Sequence, residues 1–387
     1  MELVGFVHKY EWGKLGNDSA VAQLATLNDP EFKVDLNTPY AELWMGSHPN
    51  GPSKYKSSGT KLEEELPFLL KVLSINKALS IQVHPNKVEA QQLHLKEPTI
   101  YKDPNHKPEM AIALTPFVGL CGFRPLPEIR DILMSIQPLK ELTVDDPKQM
   151  DLLMANDEEG LRYCYKKLMN TDATTIGQCI ETISRDYSEL LSEYELLKIF
   201  NKLKVDFPND VGVLSLFFLN VVRLEPGQAM FLGANQIHAY LSGDVVECMA
   251  CSDNVIRAGL TPKYKDIKQL LNSLEYNGAP PSSKIFVPER FDNQRLLFKP
   301  PVEDFALTQL TLRPADKEYV LKIDQSPGIL LVLNGQRTLK TNTNNGAKLK
   351  RGSIVYLPWE IGTEVHFVSS EESENDFLAY ISTPNAP

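Results

Sequence analysis

The sequence predicts a mainly β protein with an α-helical insertion, and three observations carry this prediction. Short apolar runs between Pro and Gly turn signals fill residues 1–122, which is typical of β-strands. Residues 123–210 contain only two glycines and repeat apolar residues every three or four positions, as amphipathic helices do. The strand-like pattern returns at Val211. We therefore expect three domains: 1–122 together with 211–284, the helical insertion 123–210, and 285–387.

The individual elements follow from local signals. In the helical region, Asp146 and Pro147 supply an N-cap and a first helical position. Gly243-Asp244 is a hairpin turn signal. PKYKDIKQLLNSL fits a helix, and the tail AYISTPNAP is expected to be disordered. Apolar or alternating runs predict strands at ELPFLLKVLSI, ALSIQVH, EMAIALTPFVGL, VGVLSLFFLNVVRL and DVVECMACSD.

A weak internal repeat links the second and third strand-rich regions. RLEPGQAMFLGANQIHAY and KLKRGSIVYLPWEIGTEVHF share a basic residue, a Leu, a Gly turn and an aromatic-Leu pair. His238 lies 11 residues after Gly227, whereas His366 lies 14 residues after Gly352, out of register. A hairpin unit used twice fits two small β-barrels, one with a metal ligand and one without.

Composition narrows the function classes. The 387 residues include 40 Lys and Arg against 50 Asp and Glu, a formal charge of −10, which argues against nucleic acid or an anionic membrane as partner. The five cysteines are odd in number and irregularly spaced, so a reducing compartment is expected. The N-terminus shows no signal-peptide pattern, and the longest apolar stretch, Val211 to Val222, is too short to span a bilayer. We expect a soluble cytoplasmic protein.

Three segments concentrate the residues that carry chemistry. In Ser80 to His84 the polar residues alternate with apolar ones, so Gln82 and His84 share one strand face. Tyr101 to Glu109 packs a His, a Lys and an acid into a turn that enters a strand. His238 to Lys263 combines His, Tyr, Glu, Asp, Arg and Lys between turns. A polar outer strand face is the alternative interpretation of the first segment, and an ordinary polar loop that of the second.

His84, Glu109 and His238 together form a set suited to Zn²⁺ or a similar divalent ion. Gln82 would add a neutral oxygen. The spacing alone does not establish that these positions converge.

Two long motifs resemble those of type I mannose-6-phosphate isomerases. Y-x-D-x-N-H-K-P-E matches Tyr101 to Glu109, and H-A-Y-L-x-G-x-x-x-E-x-M-A-x-S-D-N-x-x-R-A-G-L-T-P-K matches His238 to Lys263. SIQVHP, AELWMGSHP, LPFLLKVLSI and EWGKLG are also similar to that family. The resemblance covers nearly the whole chain and is weakest in the helical region and the last 100 residues.

The resemblance implies a cupin-type, jelly-roll catalytic β-barrel, the helical domain inserted in it, and a second, degenerate C-terminal cupin barrel. It implies interconversion of mannose 6-phosphate and fructose 6-phosphate through a cis-enediol, a step that feeds mannose into GDP-mannose and protein glycosylation. The implied cofactor is one Zn²⁺ per chain. The implied partner is a small sugar phosphate, on a monomer that binds neither nucleic acid nor membrane.

The resemblance also assigns site residues. The metal ligands it implies are Gln82, His84, Glu109 and His238. The catalytic residues it implies are Arg257, Glu247, His106, Lys107 and Asp253. The substrate-binding residues it implies are Trp12, Glu42, Lys71, Ser80, Tyr240 and Lys263.

Roles follow from the chemistry of the implied reaction. A metal ion near the sugar oxygens stabilises a developing enediolate, which explains a metal where no redox step occurs. Glu247 is the first candidate for the base, and His106 or Lys107 the second. Arg257 would stabilise the same negative charge, and Lys71 with Ser80 or Lys263 would hold the phosphate.

Two other functions use a similar residue set. A cupin metal oxygenase also combines histidines with a carboxylate, but on iron. A non-catalytic double cupin that binds a sugar phosphate would show binding without turnover. The phosphate-binding cations and the neutral Gln82 argue against the oxygenase, and the intact Glu247, Arg257 and Lys263 argue against the binding protein.

Overall fold

The computed structural model describes residues 1–341, 344–358, 360–369 and 374–385. Up to residue 123 the chain is mainly extended, as predicted. Its helices are α1 (Ala20–Asn28) and α2 (Lys87–Lys96), and a 3-10 turn spans Gly16–Asp18. Its strands are β1 (Glu2–Val4), β2 (Phe6–His8), β3 (Lys14–Leu15), β4 (Pro39–Tyr40), β5 (Glu42–Met45), β6 (Lys54–Tyr55), β7 (Phe68–Ile75), β8 (Ile81–Val83), β9 (Glu109–Ala113) and β10 (Phe117–Phe123).

The predicted helical region is confirmed. Asp146 caps α5 as expected, because its carboxylate accepts a 3.0 Å hydrogen bond from the Lys148 N–H, and Pro147 opens the helix. The buried faces of these helices pack into one cluster with Phe123, Phe217 and Phe218. The helices are α3 (Leu126–Ser135), α4 (Gln137–Thr143), α5 (Pro147–Met154), α6 (Glu158–Met169), α7 (Ala173–Asp186), α8 (Ser188–Glu193), α9 (Leu197–Asp206) and α10 (Val211–Ser215).

The strand predicted from Val211 onward is wrong over its first residues. Asp210 caps a short helix there, since its carboxylate accepts a 2.7 Å hydrogen bond from the Gly212 N–H. An apolar run of this length is compatible with either a buried helix or a buried strand, and the Asp210 cap favours the helix. The strand begins only at Leu219, as β11 (Leu219–Leu224).

The expected hairpin at Gly243-Asp244 is also wrong. The chain stays extended through both residues, within one long strand from His238 to Ala250, because Gly243 and Asp244 pair with β7, and the strand pairs with β9 as well from Val245 onward. Gly243 takes a positive φ of 113°, and a Cβ there would lie 2.9 Å from the Phe117 Cα. The glycine therefore allows a close strand contact instead of a turn.

The remaining elements of the central region surround this long strand. The helix predicted in PKYKDIKQLLNSL is confirmed as α11 (Ile267–Ser273), and a 3-10 turn spans Pro281–Lys284. The strands are β12 (Ala229–Leu232), β13 (His238–Ala250), β14 (Ile256–Gly259) and β15 (Ile285–Phe286).

The described residues from Ile285 onward form strands joined by turns, and the expected disorder of the tail is wrong for Ala379 to Asn385. β25 (Phe377–Thr383) pairs with β18 (Ala306–Leu312) and β20 (Gly328–Asn334) over this segment, and Tyr380 is buried; residues 386 and 387 lie outside the described chain. The strands are β16 (Glu289–Arg290), β17 (Arg295–Phe298), β18 (Ala306–Leu312), β19 (Glu318–Lys322), β20 (Gly328–Asn334), β21 (Gln336–Thr341), β22 (Asn344–Lys350), β23 (Ile354–Leu357), β24 (Glu364–Val368) and β25 (Phe377–Thr383).

The strands form two large sheets. β8, β9 and β13 belong to an eleven-stranded sheet that joins strands from before and after the helices, with β7 and β13 paired at its centre. The C-terminal strands form an eight-stranded sheet, which β1 and β6 extend, and a four-stranded sheet. The cupin topology of these sheets stays a prediction.

The histidine of the second repeat copy, His366, lies in a different environment from His238 in the first. His366 on β24 is partly exposed, and its Nδ1 lies 2.8 Å from Glu318 Oε1, whereas His238 is buried beside other candidate ligands. That only one copy binds a metal stays a prediction. Among the described residues, no helix combines the length and apolar character needed to cross a membrane.

Candidate active site

Strand alternation places the candidate site on one face of the eleven-stranded sheet. Glu247 on β13 lies opposite Lys71 on β7 and Ala111 on β9, so these side chains share a face with Glu109, two residues before Ala111. The other face carries apolar residues such as Cys248, which pack into the core shared with the C-terminal strands. The small Ala111 leaves room between the charged residues of the site face.

His84, Glu109 and His238 converge in a buried cluster. Their ligand atoms all lie within 4.8 Å of one another. The Glu109 carboxylate is 3.4 Å from His84 Nε2 through one oxygen and 3.4 Å from His238 Nε2 through the other. Strand pairing adds Gln82, which lies opposite His238 with its side-chain amide 3.4 Å from His238 Nε2.

Backbone carbonyls fix the tautomers of both histidines. His84 Nδ1 is 2.7 Å from the Asn254 carbonyl oxygen, and His238 Nδ1 is 2.9 Å from that of Gln236. Because a carbonyl only accepts, each Nδ1 carries the hydrogen and each Nε2 of a neutral ring presents a lone pair to the cluster. This is the form in which imidazole binds a metal.

The cluster fits a zinc ion. His84 Nε2 is buried without a hydrogen-bond partner among the described residues, which is costly unless something occupies the position. Two imidazole nitrogens and a carboxylate are a frequent catalytic zinc set that leaves a coordination position open. The Gln82 amide, turned about its last bond, would offer its oxygen as a further ligand.

Electrostatics keep His84 and Glu109 in their metal-binding protonation states. Burial lowers the pKa of His84 to about 4, so its ring is neutral at pH 7. Burial alone would raise the pKa of Glu109, but the Lys107 ammonium, 3.2 Å away, and the two histidines hold it well below its usual range. Glu109 is therefore an anion at neutral pH.

A buried lysine lies between two carboxylates beside this cluster. Lys71 Nζ is 3.1 Å from Glu247 Oε2 and 3.5 Å from Glu42 Oε2, and all three side chains are about nine-tenths buried or more. Burial opposes the charged form of Lys71, but the carboxylates raise its pKa above the ordinary value. Burial raises the pKa of Glu247, and Lys71 partly offsets this. Trp44 packs against this group. Its indole N–H donates a hydrogen bond to Glu42, and the Lys71 ammonium lies over its ring.

Replacing Lys71 with methionine should destabilise the fold by about 3–5 kcal/mol, because two buried carboxylates lose their cation. Urea unfolding at pH 7 measures this loss. Adding Glu42→Gln to the same variant should recover part of it. Lys96→Met is the control, since Lys96 forms an exposed ion pair with Glu97, and such pairs contribute about 0–1 kcal/mol. A Lys71→Met protein as stable as the wild type would contradict this view of the cluster.

Arg257 and Tyr240 lie near the metal cluster, and Trp12 packs close to Tyr240. Arg257 on β14 lies opposite Gln82 and is half-buried, and its guanidinium makes no hydrogen bond or ion pair within the described chain. Burial lowers its pKa. The buried Tyr240 hydroxyl is likewise without a partner there, and Trp12 packs against the Tyr240 cluster. Unpaired polar groups of this kind are suited to a ligand.

Lys263 lies on the loop after β14, and Ser80 lies just before β8. Lys263 is exposed and Ser80 half-buried. The Asp210 carboxylate anchors the start of the loop, because it accepts hydrogen bonds from the Leu260 N–H at 2.7 Å and the Thr261 N–H at 3.5 Å. Leu260 has a φ of +53°, which is unfavourable for a leucine and needs such support.

The last two predicted residues are connected to Asp103, Asp253 directly and His106 through Asn105, whose side chain accepts from the His106 N–H. Asp253 donates its backbone N–H to Asp103 at 2.7 Å and accepts from the Asn50 amide at 3.0 Å. His106 Nε2 lies 2.8 Å from the Asp304 carboxylate.

Sequence reasoning missed several supporting residues. Asn254, whose carbonyl orients His84, lies inside the second motif, and the hydrogen-bonding side chain of Asp103 lies inside the first. Asp210 and Asp304 lie far from both motifs in the sequence, and no local pattern marks them. Only the fold brings them to the site.

Together the fold and the cluster define a class: β-sheet proteins that bind one divalent metal ion between two imidazoles and a carboxylate. Comparison with known proteins narrows the class to one family.

The family described as phosphomannose isomerase type I matches through its catalytic domain at residues 1–61 and 55–126 and through its C-terminal domain at residues 296–343. Mannose-6-phosphate isomerase of Schizosaccharomyces pombe is 42% identical over 383 residues, covering 91% of this chain and 92% of the relative. That of Bos taurus is 39% identical over 386 residues, covering 91% of each. The chain belongs to the type I mannose-6-phosphate isomerase family.

Solved structures agree with this membership. A mannose 6-phosphate isomerase from Salmonella typhimurium bound to substrate (f6p) and zinc is 30% identical, with a TM-score of 0.81 and 99% of both chains covered. A zinc-bound mannose 6-phosphate isomerase superposes with a TM-score of 0.82 at the same identity and coverage.

Proposed function

We propose that the protein is a zinc-dependent aldose-ketose isomerase that interconverts mannose 6-phosphate and fructose 6-phosphate. The observation that carries the proposal is the convergence of His84, Glu109 and His238, with each Nε2 atom 3.4 Å from a carboxylate oxygen, beside the buried Glu247. The family membership supplies the substrate class. We also propose that the three domains and the cupin barrels expected from the sequence describe its architecture.

The metal ion would be held by His84, Glu109, His238 and Gln82, and when bound it supplies Lewis-acid stabilisation of negative charge on the sugar oxygens. The reaction opens the sugar ring and moves a proton between C2 and C1 through a cis-enediol. An α-proton of a carbonyl compound is too weakly acidic for an unassisted side chain at neutral pH. Charge stabilisation and a positioned base are therefore both needed.

Glu247 is the proposed base. Burial raises its pKa towards the range in which a carboxylate both accepts and returns a proton near neutral pH. It shares a sheet face with Glu109, so it borders the metal cluster. We assign to Lys71, whose ammonium already contacts two carboxylates, the task of holding Glu247 in place. His106 and Lys107 remain the alternative bases.

We propose that Arg257 and Lys263 interact with different negative charges of the substrate, the enediolate and the phosphate respectively. Arg257 is half-buried next to Gln82, where it would stabilise the charge that develops on the enediolate. Lys263 is exposed on the anchored loop, where with Ser80 it would hold the phosphate. Trp12, Tyr240, Glu42 and Asp253 complete the proposed walls of the site.

Kinetics of two variants test this division. Arg257→Gln should lower kcat about 10²- to 10³-fold, because it removes charge stabilisation in the transition state. Lys263→Gln should raise KM about tenfold with kcat nearly unchanged, because it removes one charged contact to the phosphate in ground and transition state alike. Both variants should keep one zinc per chain. Lys268→Gln, an exposed lysine on α11, is the control. An unchanged KM in Lys263→Gln would place the phosphate elsewhere.

A further inference from the structure

A carboxylate from the C-terminal strands reaches the segment that carries His106. Asp304 lies between β17 and β18, 198 residues away in the sequence, and its Oδ2 is 2.8 Å from His106 Nε2. The two side chains are only 18% and 14% exposed, which shields the contact from solvent. A charge-assisted hydrogen bond in such surroundings is stronger than one on the surface.

The backbone around Asp304 is held firmly. The Asn385 side-chain amide donates to the carbonyls of Pro300 and Val302 at 2.9 and 2.6 Å, and its backbone N–H donates to the Glu303 carbonyl at 2.9 Å. The neighbouring Phe305 is fully buried in the core that the C-terminal strands share with β7, β9 and β13. Asp304 is therefore presented to His106 from a rigid support.

His106, the residue that Asp304 contacts, belongs to the segment that leads into the metal cluster. Asn105 fixes the turn before His106, because its side chain donates to the Cys251 carbonyl at 3.1 Å. Lys107, the next residue, forms the ion pair with the candidate ligand Glu109. An ionised carboxylate only accepts hydrogen bonds, so His106 Nε2 carries a hydrogen, and Nδ1 of the neutral ring keeps the lone pair.

We propose that Asp304 is a positioning residue for the isomerase, which holds the His106 ring in one orientation and one tautomer. The C-terminal β region thereby contributes to the catalytic site and is more than a structural support. The inference rests on the proposed function and on the prediction that His106 is one of its catalytic residues, since Asp304 acts through His106 on that reaction.

A double-mutant cycle tests the proposal in the full-length zinc-loaded protein. Asp304→Ala should lower kcat for mannose 6-phosphate about 10- to 100-fold, the size of the effect seen when the hydrogen-bond partner of a metal-ligating histidine is removed. KM should stay within about twofold, and zinc content should stay at one per chain. Asp304→Ala combined with His106→Ala should be no slower than His106→Ala alone, because the carboxylate acts only through the ring. Glu303→Gln, at the adjacent exposed position, is the control.

Three results would overturn the inference: Asp304→Ala with wild-type kcat, His106→Ala with wild-type kcat, or losses that multiply in the double variant. If Asp304→Ala fails to fold, Asp304→Asn, which preserves the side-chain volume, takes its place in the same cycle. An inactive wild-type protein would instead defeat the proposed function itself, so the two failures are distinguishable.

Discussion

Replacing Glu109 with alanine is expected to remove zinc and isomerase activity together. Glu109 lies 3.4 Å from both candidate histidine ligands and is the only carboxylate in the cluster among the described residues. Without it, two neutral imidazoles and an amide remain, and the charge that attracts a divalent cation is gone. Loss of the Lewis acid costs several kcal/mol of barrier, so the turnover rate should fall at least about a thousandfold.

Metal content by elemental analysis and turnover of mannose 6-phosphate should be measured on the same Glu109→Ala preparation. Glu193→Ala, which removes an exposed glutamate of α8, is the control and should keep both metal and activity. Activity that survives in a metal-free Glu109→Ala protein would rule out the zinc mechanism. Metal that stays bound would show that the ligands lie elsewhere.

Glu247→Gln is expected to have the second largest effect, and of a different kind. The amide preserves the size of the side chain but does not accept a proton, so the loss in kcat should be about 10²- to 10⁴-fold. Zinc should remain, because Glu247 is not in the ligand cluster. The C2 proton of mannose 6-phosphate should no longer exchange with deuterated solvent, which NMR measures directly.

Glu42→Gln is the matched comparison for Glu247→Gln. Each substitution removes one of the two carboxylates around Lys71, but only Glu247 is assigned to proton transfer. Exchange at C2 should therefore persist in Glu42→Gln. If Glu247→Gln still exchanges the proton, the base is His106, Lys107 or another group, and Glu247 serves the electrostatics of Lys71 alone.

Much of the fold could be predicted from the sequence because most helices and strands carry a clear local sequence pattern. The helical region combines periodic apolar residues with caps such as Asp146, and both are properties of a few neighbouring residues. Val211 to Ser215 misled because a short apolar run has no period to distinguish helix from strand. Gly243 was wrongly predicted to lie in a turn because β7, which is distant in sequence, pairs with it and keeps the chain extended.

The candidate site also combines residues that the sequence predicts with contacts that only the fold creates. His84, Glu109 and His238 lie in recognisable segments, and their convergence required strand pairing that the sequence does not specify. Asp304 reaches the site only through a contact between residues 198 positions apart. The pairing of Lys71 with two carboxylates also depended on neighbouring strands, so a lysine expected to hold phosphate is instead surrounded by negative charge.

The most direct test of the account is reversible metal removal from the wild-type protein. The protein should convert mannose 6-phosphate to fructose 6-phosphate, lose this activity after dialysis against a chelator, and regain it with one equivalent of Zn²⁺ per chain. Unfolding measurements before and after dialysis would confirm that the chain stays folded. Full turnover by a folded protein shown to be free of metal would contradict the central claim that His84, Glu109 and His238 hold a catalytic zinc ion.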